Sequence, residues 1–291
     1  KLLVENIPSY NLTIDRSRSS DVSHALRFAA EVLERPLPEL ERLIERERST
    51  PEFKPILLAE HLTLAEVARF GVVALEYPEF EIDVENLRLY RHGHQTANLL
   101  GYLGEVTEEE VERSEGAYSP SDLVGKRGIE QVFDQLLRGK DGERVIVVDS
   151  RGKLLEEYGK LEVQAGKPLH LTLDLDLQQE AIRWFDEPDE VGAVVALDPR
   201  NGEIRALVSA PSYDPNLFAR RLKREEWQAI VKAPHDPQRD RPVQNTYSPG
   251  SVFKIVMAAA GLAEGVVSEH DSVYCSGSAV IYGRRFRCWR A

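Results

Sequence analysis

Polar and apolar positions alternate from Ser9 to Asp15, with Tyr10, Leu12 and Ile14 apolar between polar neighbours, a period of two that predicts a strand. The period then lengthens. Val22, Ala25, Leu26, Ala29, Ala30, Val32 and Leu33 predict an amphipathic helix, and the run from Leu37 to Ile44, opened by Pro36 and Pro38, predicts a second. Pro55–Ala59 reads as a short strand. Thr63, with Glu66 three residues on, has the form of a capping box that opens a helix, and Phe80–Glu85 alternates again. Gly128–Leu137 predicts one helix closed by Gly139. Residues 143–163 predict a hairpin turning at Ser150-Arg151-Gly152, and Gly166-Lys167-Pro168 marks a linker or boundary. Leu169–Gln179 predicts a strand that runs into a helix. Val191–Pro199, with its continuous apolar run, predicts a buried strand, Asn201-Gly202 a hairpin turn, and Glu203–Ser209 the return strand. Finally, Pro249-Gly250 breaks the chain ahead of Val252–Leu262, which is apolar on nearly every face and predicts a helix inside a domain, with Gly265 as its stop.

Composition changes this picture in three ways. A length of 291 residues allows two domains, and 42% hydrophobic with 30% charged residues is globular. A net charge of −12 argues against nucleic acid as a partner, which needs a basic surface. Arg in excess over Lys, abundant Glu, one Met and two Cys fit a thermophilic or high-GC source. No signal peptide is visible, and the longest apolar runs are about ten residues against the roughly twenty that cross a bilayer. The chain opens at Lys1-Leu2-Leu3 without an initiator Met and reads as a segment of something longer.

The candidate chemistry centres on Ser251 and Lys254. At the start of a helix, residues three apart share a face, so hydroxyl and amine can meet. A serine needs an adjacent base to act as a nucleophile, and a lysine serves when apolar surroundings disfavour its charged form; Lys254 lies in an apolar run. Free N–H groups of the first turn can hold a developing oxyanion. The plainer alternative makes Ser251 an N-cap and Lys254 a solvated side chain. Elsewhere the plain readings are preferred. His92 and His94 have no partner at ligand spacing and read as surface or core histidines. Asp174 and Asp176 read as helix capping in preference to a metal pair. Asp214 and Asn216 read as a local turn, Glu41–Arg48 as a solvated face, and Lys126 lies outside any phosphate-loop spacing. Cys275 and Cys288 read as free or disulfide-bonded thiols. A metal site with Asp271 and a residue beyond position 291 is the alternative.

Several motifs, in order, resemble one family. Pro249-Gly250-Ser251-Val252-Phe253-Lys254 is similar to the P-G-S-T-F-K signature of penicillin-binding proteins, with Val252 in place of the usual Thr. Lys1–Leu12 resembles the segment that follows the membrane anchor in the class B members. Residues 88–104 resemble the family's "R-x-Y-P-x-G … A-A-H-x-L-G-Y-x-G", with Asn98 where His is common. Residues 125–142 resemble "G-x-x-G-L-E-x-x-Y-E-x-x-L-x-G-x-x-G", and Leu171–Gln178 resembles the "L-T-I-D-x-x-L-Q" opening of the transpeptidase domain. Pro211–Phe218 resembles the "P-S-Y-D-P-N-x-F" of the elongation-type branch, the penicillin-binding protein 2 group.

The resemblance implies an α+β chain. Residues 1–165 would form a non-catalytic pedestal for interactions, and residues 166–291 the N-terminal portion of a transpeptidase domain in which helices flank an antiparallel sheet. It implies a peptidoglycan D,D-transpeptidase of cell-wall elongation, with Ser251 the acylated nucleophile and Lys254 its activator, and no cofactor. The implied partners are the D-Ala-D-Ala stem peptide, β-lactams and a membrane glycan polymerase of the shape-elongation-division-sporulation (SEDS) family. The implied location is the extracytoplasmic face of the bacterial inner membrane, through an anchor outside this chain. The family also needs downstream S-x-N and K-T-G motifs, and K-T-G occurs nowhere in these 291 residues. The chain as given is therefore expected not to turn over, and its other role would be activation of the polymerase through the pedestal. A β-lactamase or β-lactam sensor shares S-x-x-K, but the pedestal motifs argue against a lactamase. The abrupt join Trp184-Phe185-Asp186-Glu187-Pro188 suggests a missing loop.

Overall fold

The computed structural model describes residues 1–114, 116–119, 122–148, 154–185, 190–219 and 224–288. Its packing divides into two units, Lys1–Gln244 and Asn245–Ala291.

The first unit opens with β1 (Val4–Ile14), α1 (Val22–Val32), α2 (Leu37–Arg46), β2 (Ile56–Ala59), α3 (Leu64–Val72) and β3 (Phe80–Tyr90). The strands form an antiparallel sheet in the order β2-β1-β3. The period-two pattern of β1 sorts its two faces. Leu12 and Ile14 join Ala25, Leu26, Ala29, Leu40, Leu58 and Phe70 in one buried cluster. The opposite face buries Ser9, Asn11 and Thr13, and each finds a partner, as buried polar groups must. Ser9 bonds the His61 ring at 2.7 Å, Asn11 donates to Glu85 at 2.9 Å, and Thr13 donates to Asp83 at 3.2 Å. The predicted capping box is present in full, with the Thr63 side chain accepting from the Glu66 N–H and Glu66 reaching back to the Thr63 N–H.

Short elements follow: α4 (Ala97–Leu100), β4 (Leu103–Glu105), α5 (Glu108–Arg113), β5 (Leu123–Gly125), α6 (Gly128–Val132) and α7 (Asp134–Leu137). The single helix expected over 128–137 is two. Phe133 leaves helical geometry, and the Asp134 carboxylate turns to accept the Gly125 N–H and the Tyr118 hydroxyl, both at 2.8 Å. Gly128 has φ +59°, and a Cβ there would lie 2.5 Å from the Leu99 carbonyl oxygen, so this entry to α6 needs glycine. From α6, Glu130 accepts from the Arg88 guanidinium at 2.7 Å and from the Tyr90 hydroxyl at 3.3 Å, tying α6 to the end of β3.

The expected hairpin is β6 (Glu143–Val148) paired antiparallel with β7 (Leu154–Leu161); its proposed turn residues lie outside the described residues. The strand expected at Leu169–Leu173 does not form. These residues lie beside the start of β9 (Ile204–Ala210) with isolated bonds, the Thr172 hydroxyl to the Ile204 carbonyl and the Asp174 N–H to the Arg205 carbonyl, both at 2.8 Å, in place of a ladder. Asp174 caps α8 (Leu175–Arg183), accepting from the N–H groups of Asp176 and Leu177 as predicted. β8 (Gly192–Leu197) pairs antiparallel with β9 across the Asn201-Gly202 turn, where Gly202 has φ +76°. β8 is not buried: Val195 is 47% and Leu197 58% exposed. Among the described residues no strand pairs along its outer edge, whereas β9 is buried from Ala206 onward except at Leu207.

Three carboxamides tie the unit together. Gln178, 1% exposed, accepts from the Leu207 N–H at 2.8 Å and donates to the Leu207 and Gln95 carbonyls at 2.9 Å. Asn216 accepts from the Tyr90 N–H at 2.9 Å and donates to the Tyr90 carbonyl at 3.0 Å. Asn98, at the position where the family commonly has His, shares its donors among Ser209, Ser212 and Pro237. Beyond the 3-10 turn Pro215–Ala219 lie α9 (Arg224–Val231) and α10 (Arg241–Gln244). Phe218 stacks on Tyr102 at 3.9 Å, and buried Arg241 donates to the carbonyls of His235, Asp236 and Arg239.

Asn216→Ala is expected to lower unfolding free energy by about 1–3 kcal/mol and to speed amide exchange at Tyr90. Gln178→Leu should cost more, because it strands both backbone groups of Leu207 where water cannot replace the amide; denaturant melts of the two variants give the order. Glu110 is held at about 2, below its ordinary 4.5, by the Lys126 ammonium and then by the Thr107 N–H. A carboxyl depressed in the folded state adds stability that is complete above about 4.5 and is lost as pH falls toward 2. Glu110→Gln should therefore flatten the stability–pH curve in that window and leave its slope near neutrality unchanged.

Candidate active site

Ser251 and Lys254 belong to the second unit. A 3-10 turn, Gly250–Val252, leads without a break into α11 (Phe253–Ala263). Pro249 and Gly250 make the entry: Gly250 takes φ +54°, and the Val252 N–H closes the first turn on the Pro249 carbonyl at 3.2 Å. Ser251 sits in that turn, and Lys254 is the second residue of α11, so the spacing places them one helical turn apart as expected. Ser251 is not the N-cap of α11; Val252 holds that position, and no side chain caps the helix.

The expected burial of this helix is not found. Ile255 is 74% exposed, Val252, Phe253, Val256 and Met257 are exposed around it, and so are Ser251 and Lys254 themselves. No hydrogen bond joins the serine hydroxyl to the lysine amine. The reason lies in the unit's size. Among its described residues, besides the Gly250–Val252 turn and α11, the elements are β10 (Ser278–Ile281) and β11 (Arg284–Arg287), a two-stranded hairpin, which is too little structure to enclose a helix that is apolar all round. The apolar wall that a lysine base at position 254 would require is not formed by the described residues.

The remaining candidates fall as follows. Cys275 and Cys288 are free thiols; the Cys288 N–H donates to the Gly277 carbonyl at 2.9 Å, placing Cys288 just past the paired end of the hairpin. Asp271 accepts from the N–H and hydroxyl of Ser268, and these two bonds hold its carboxyl below the usual range. In the first unit, His92 is half-buried and His94 exposed. Asp214 accepts from the Asn216 N–H at 3.0 Å, the local turn predicted, but Asn216 also reaches Tyr90, which the local reading missed. The Glu41–Arg48 face is largely solvated. Lys126 pairs with Glu110, and part of the Trp184–Pro188 join lies outside the described residues. Among the described residues no group of three His, Cys, Asp or Glu side chains is placed to hold a metal ion, and no helix is long and apolar enough to cross a membrane.

Sequence reading also missed the polar groups buried near Tyr213. Burial pushes the Tyr213 and Tyr90 hydroxyls well above their ordinary range and raises the Asp240 carboxyl. Arg241 lies in the same region, and nothing in its local pattern sets it apart from the exposed Arg239 two positions earlier.

Comparison with known proteins is consistent throughout. Residues 1–171 match the model of the penicillin-binding protein dimerisation domain, and residues 192–291 that of the penicillin-binding protein transpeptidase domain. The peptidoglycan D,D-transpeptidase MrdA of Haemophilus influenzae is 30% identical over 297 residues, covering 100% of this chain and 45% of the relative. MrdA of Escherichia coli K12 is 33% identical over 253 residues, covering 84% and 40%. The chain thus spans about half the length of the curated relatives it matches. Among solved structures, a penicillin-binding protein 2 in complex with MreC from Helicobacter pylori superposes with TM-score 0.82 at 22% identity, over 99% of this chain and 54% of that one. A structure described as a peptidoglycan synthase complex that coordinates polymerization and crosslinking superposes with TM-score 0.70 at 30% identity, over 99% and 49%. The α+β architecture expected from the sequence is thereby established, and the chain belongs to the penicillin-binding protein family, with the dimerisation domain followed by the transpeptidase domain.

Proposed function

We propose that the complete protein is a peptidoglycan D,D-transpeptidase of cell-wall elongation, with residues 1–165 as its pedestal and 166–291 opening its transpeptidase domain. The observation that carries the reading is Ser251 in the turn that starts an apolar helix, with Lys254 one turn on, inside the stretch that matches the transpeptidase domain. Ser251 Oγ attacks the carbonyl between the two D-Ala residues of a stem peptide, and Lys254 Nζ takes its proton. The tetrahedral intermediate collapses, the peptide C–N bond breaks, and D-Ala leaves with a proton on its amine. The amine of a second stem peptide then attacks the acyl-serine, and the hydroxyl regains its proton as the cross-link forms. Downstream S-x-N and K-T-G motifs complete the site in the whole protein. The protein acts at the extracytoplasmic face of the inner membrane.

A second reading, compatible with the first, makes the pedestal an activator of a SEDS-type membrane glycan polymerase. The 30% identical structure described as a synthase complex that joins polymerization to crosslinking favours it.

Intact mass after incubation with benzylpenicillin tests the first reading. The complete protein is expected to gain one penicillin mass, Ser251→Ala none, and Lys254→Ala to acylate about 10²–10⁴-fold more slowly. An adduct that persists in Ser251→Ala overturns the assignment of the nucleophile. Polymerase activation should survive Ser251→Ala; its loss in that variant overturns the separation of the two roles.

A further inference from the structure

Strand β3 presents an open edge, and its hydrogen-bonding parity can be read directly. At one end the Asp15 N–H donates to the Glu79 carbonyl, and at the other the Arg91 N–H donates to the Leu3 carbonyl. Odd-numbered residues therefore turn their backbone groups toward β1. Even-numbered residues turn theirs outward: the Phe80 N–H closes on Tyr77, and Tyr90 is held on both sides by Asn216. Between those two stops Ile82, Val84, Asn86 and Arg88 each turn an N–H and C=O outward, and among the described residues no strand pairs beyond them.

Natural proteins blunt such an edge with bulges, prolines, lysines or a covering element. β3 has no proline, lysine or bulge, and short of its Tyr90 end no element covers it among the described residues; its guards are the acidic side chains Glu81, Asp83 and Glu85, which turn away acidic strands and admit basic ones. Its pairing with β1 runs unbroken over eleven positions, and residues 83–86 are exposed. The two faces beside the edge differ in chemistry. On one face Val84 is 62% exposed beside half-buried Ile82. On the other stand Glu81, Asp83 and Glu85. Glu81 pairs with Arg18, but Asp83 and Glu85 bond only the neutral side chains of Thr13 and Asn11, so two uncompensated carboxylates flank the edge.

The geometry points to β3 as a docking edge for an extended segment of a partner protein in which apolar and basic residues alternate. Such a segment satisfies the outward backbone groups, lays an apolar side chain beside Val84, and sets Lys or Arg opposite Asp83 and Glu85, where cross-strand charge pairs are favourable. A second copy of β3 fits badly, because like charges would face each other across the new ladder. This surface is distant in sequence from Ser251 and stands whether or not the transpeptidase reading holds.

Fluorescence anisotropy with a labelled, end-capped heptapeptide Lys-Val-Lys-Val-Lys-Val-Lys tests it on the full chain, with Glu-Val-Glu-Val-Glu-Val-Glu as control. The basic peptide should bind about tenfold or more tightly than the acidic one, more weakly at high salt, and should protect the Ile82, Val84 and Asn86 amides from hydrogen exchange. Val84→Pro removes one outward N–H at a position where an edge strand tolerates proline, so it should abolish binding and keep the melting temperature. The double variant Asp83→Lys, Glu85→Lys should reverse the peptide preference. Equal affinity for both peptides, protection elsewhere on the chain, or unchanged binding by folded Val84→Pro each overturns the proposal.

Discussion

Where a strand stops pairing inside the protein, its N–H and C=O groups must find another partner, and at two such places in the first unit a carboxamide side chain supplies it. An amide offers a donor and an acceptor side by side, so it can serve both groups of one strand residue as a neighbouring strand would. Gln178 does this for Leu207, and Asn216 for Tyr90. Both contacts bridge long stretches of sequence. The second joins the region that matches the dimerisation domain to the region that matches the transpeptidase domain. Tyr90 is the meeting point: its backbone is held by Asn216, its hydroxyl by Glu130, and Glu130 by Arg88. Removing any of these leaves a buried polar group alone, which costs more than the bond itself contributes.

Much of this fold was legible because it rests on local rules. The two-residue period of β1 and β3, the helices α1 and α2, the Thr63–Glu66 box and the Asp174 cap all follow from neighbours within a few positions. Departures arose where a distant partner decided the outcome. Phe133 breaks a helix because Asp134 is drawn to Gly125 and Tyr118. Leu169–Leu173 alternates like a strand but finds only isolated bonds along β9. Asn216 reads as a turn residue because its turn is local and its clasp on Tyr90 is 126 positions away.

The candidate site divides in the same way. The Pro249-Gly250 entry, the turn that holds Ser251 and the helix that carries Lys254 are local, and the motif specifies them. The surroundings that would keep an amine neutral and an oxyanion stable are not local. An apolar helix states that something must cover it and says nothing of what does. The exposed faces of α11 and β8 are two instances of one limit: sequence pattern reports the need for a neighbour before it reports the neighbour.

The two edges of the β8–β9 hairpin have different fates. Along β9, the outward groups of Arg205, Leu207 and Ser209 meet the Asp174 N–H, the Gln178 amide and the Asn98 amide in turn. On that flank all three carbonyls and the Leu207 N–H are taken, with no strand involved. β8 has no such closure among the described residues. The hairpin is therefore a one-sided template. Any strand that joins it must add along β8, and each further strand must add beyond that one, so assembly of a wider sheet has a fixed direction. A helix start and two side-chain amides are enough to close one flank of the hairpin and leave the other for growth.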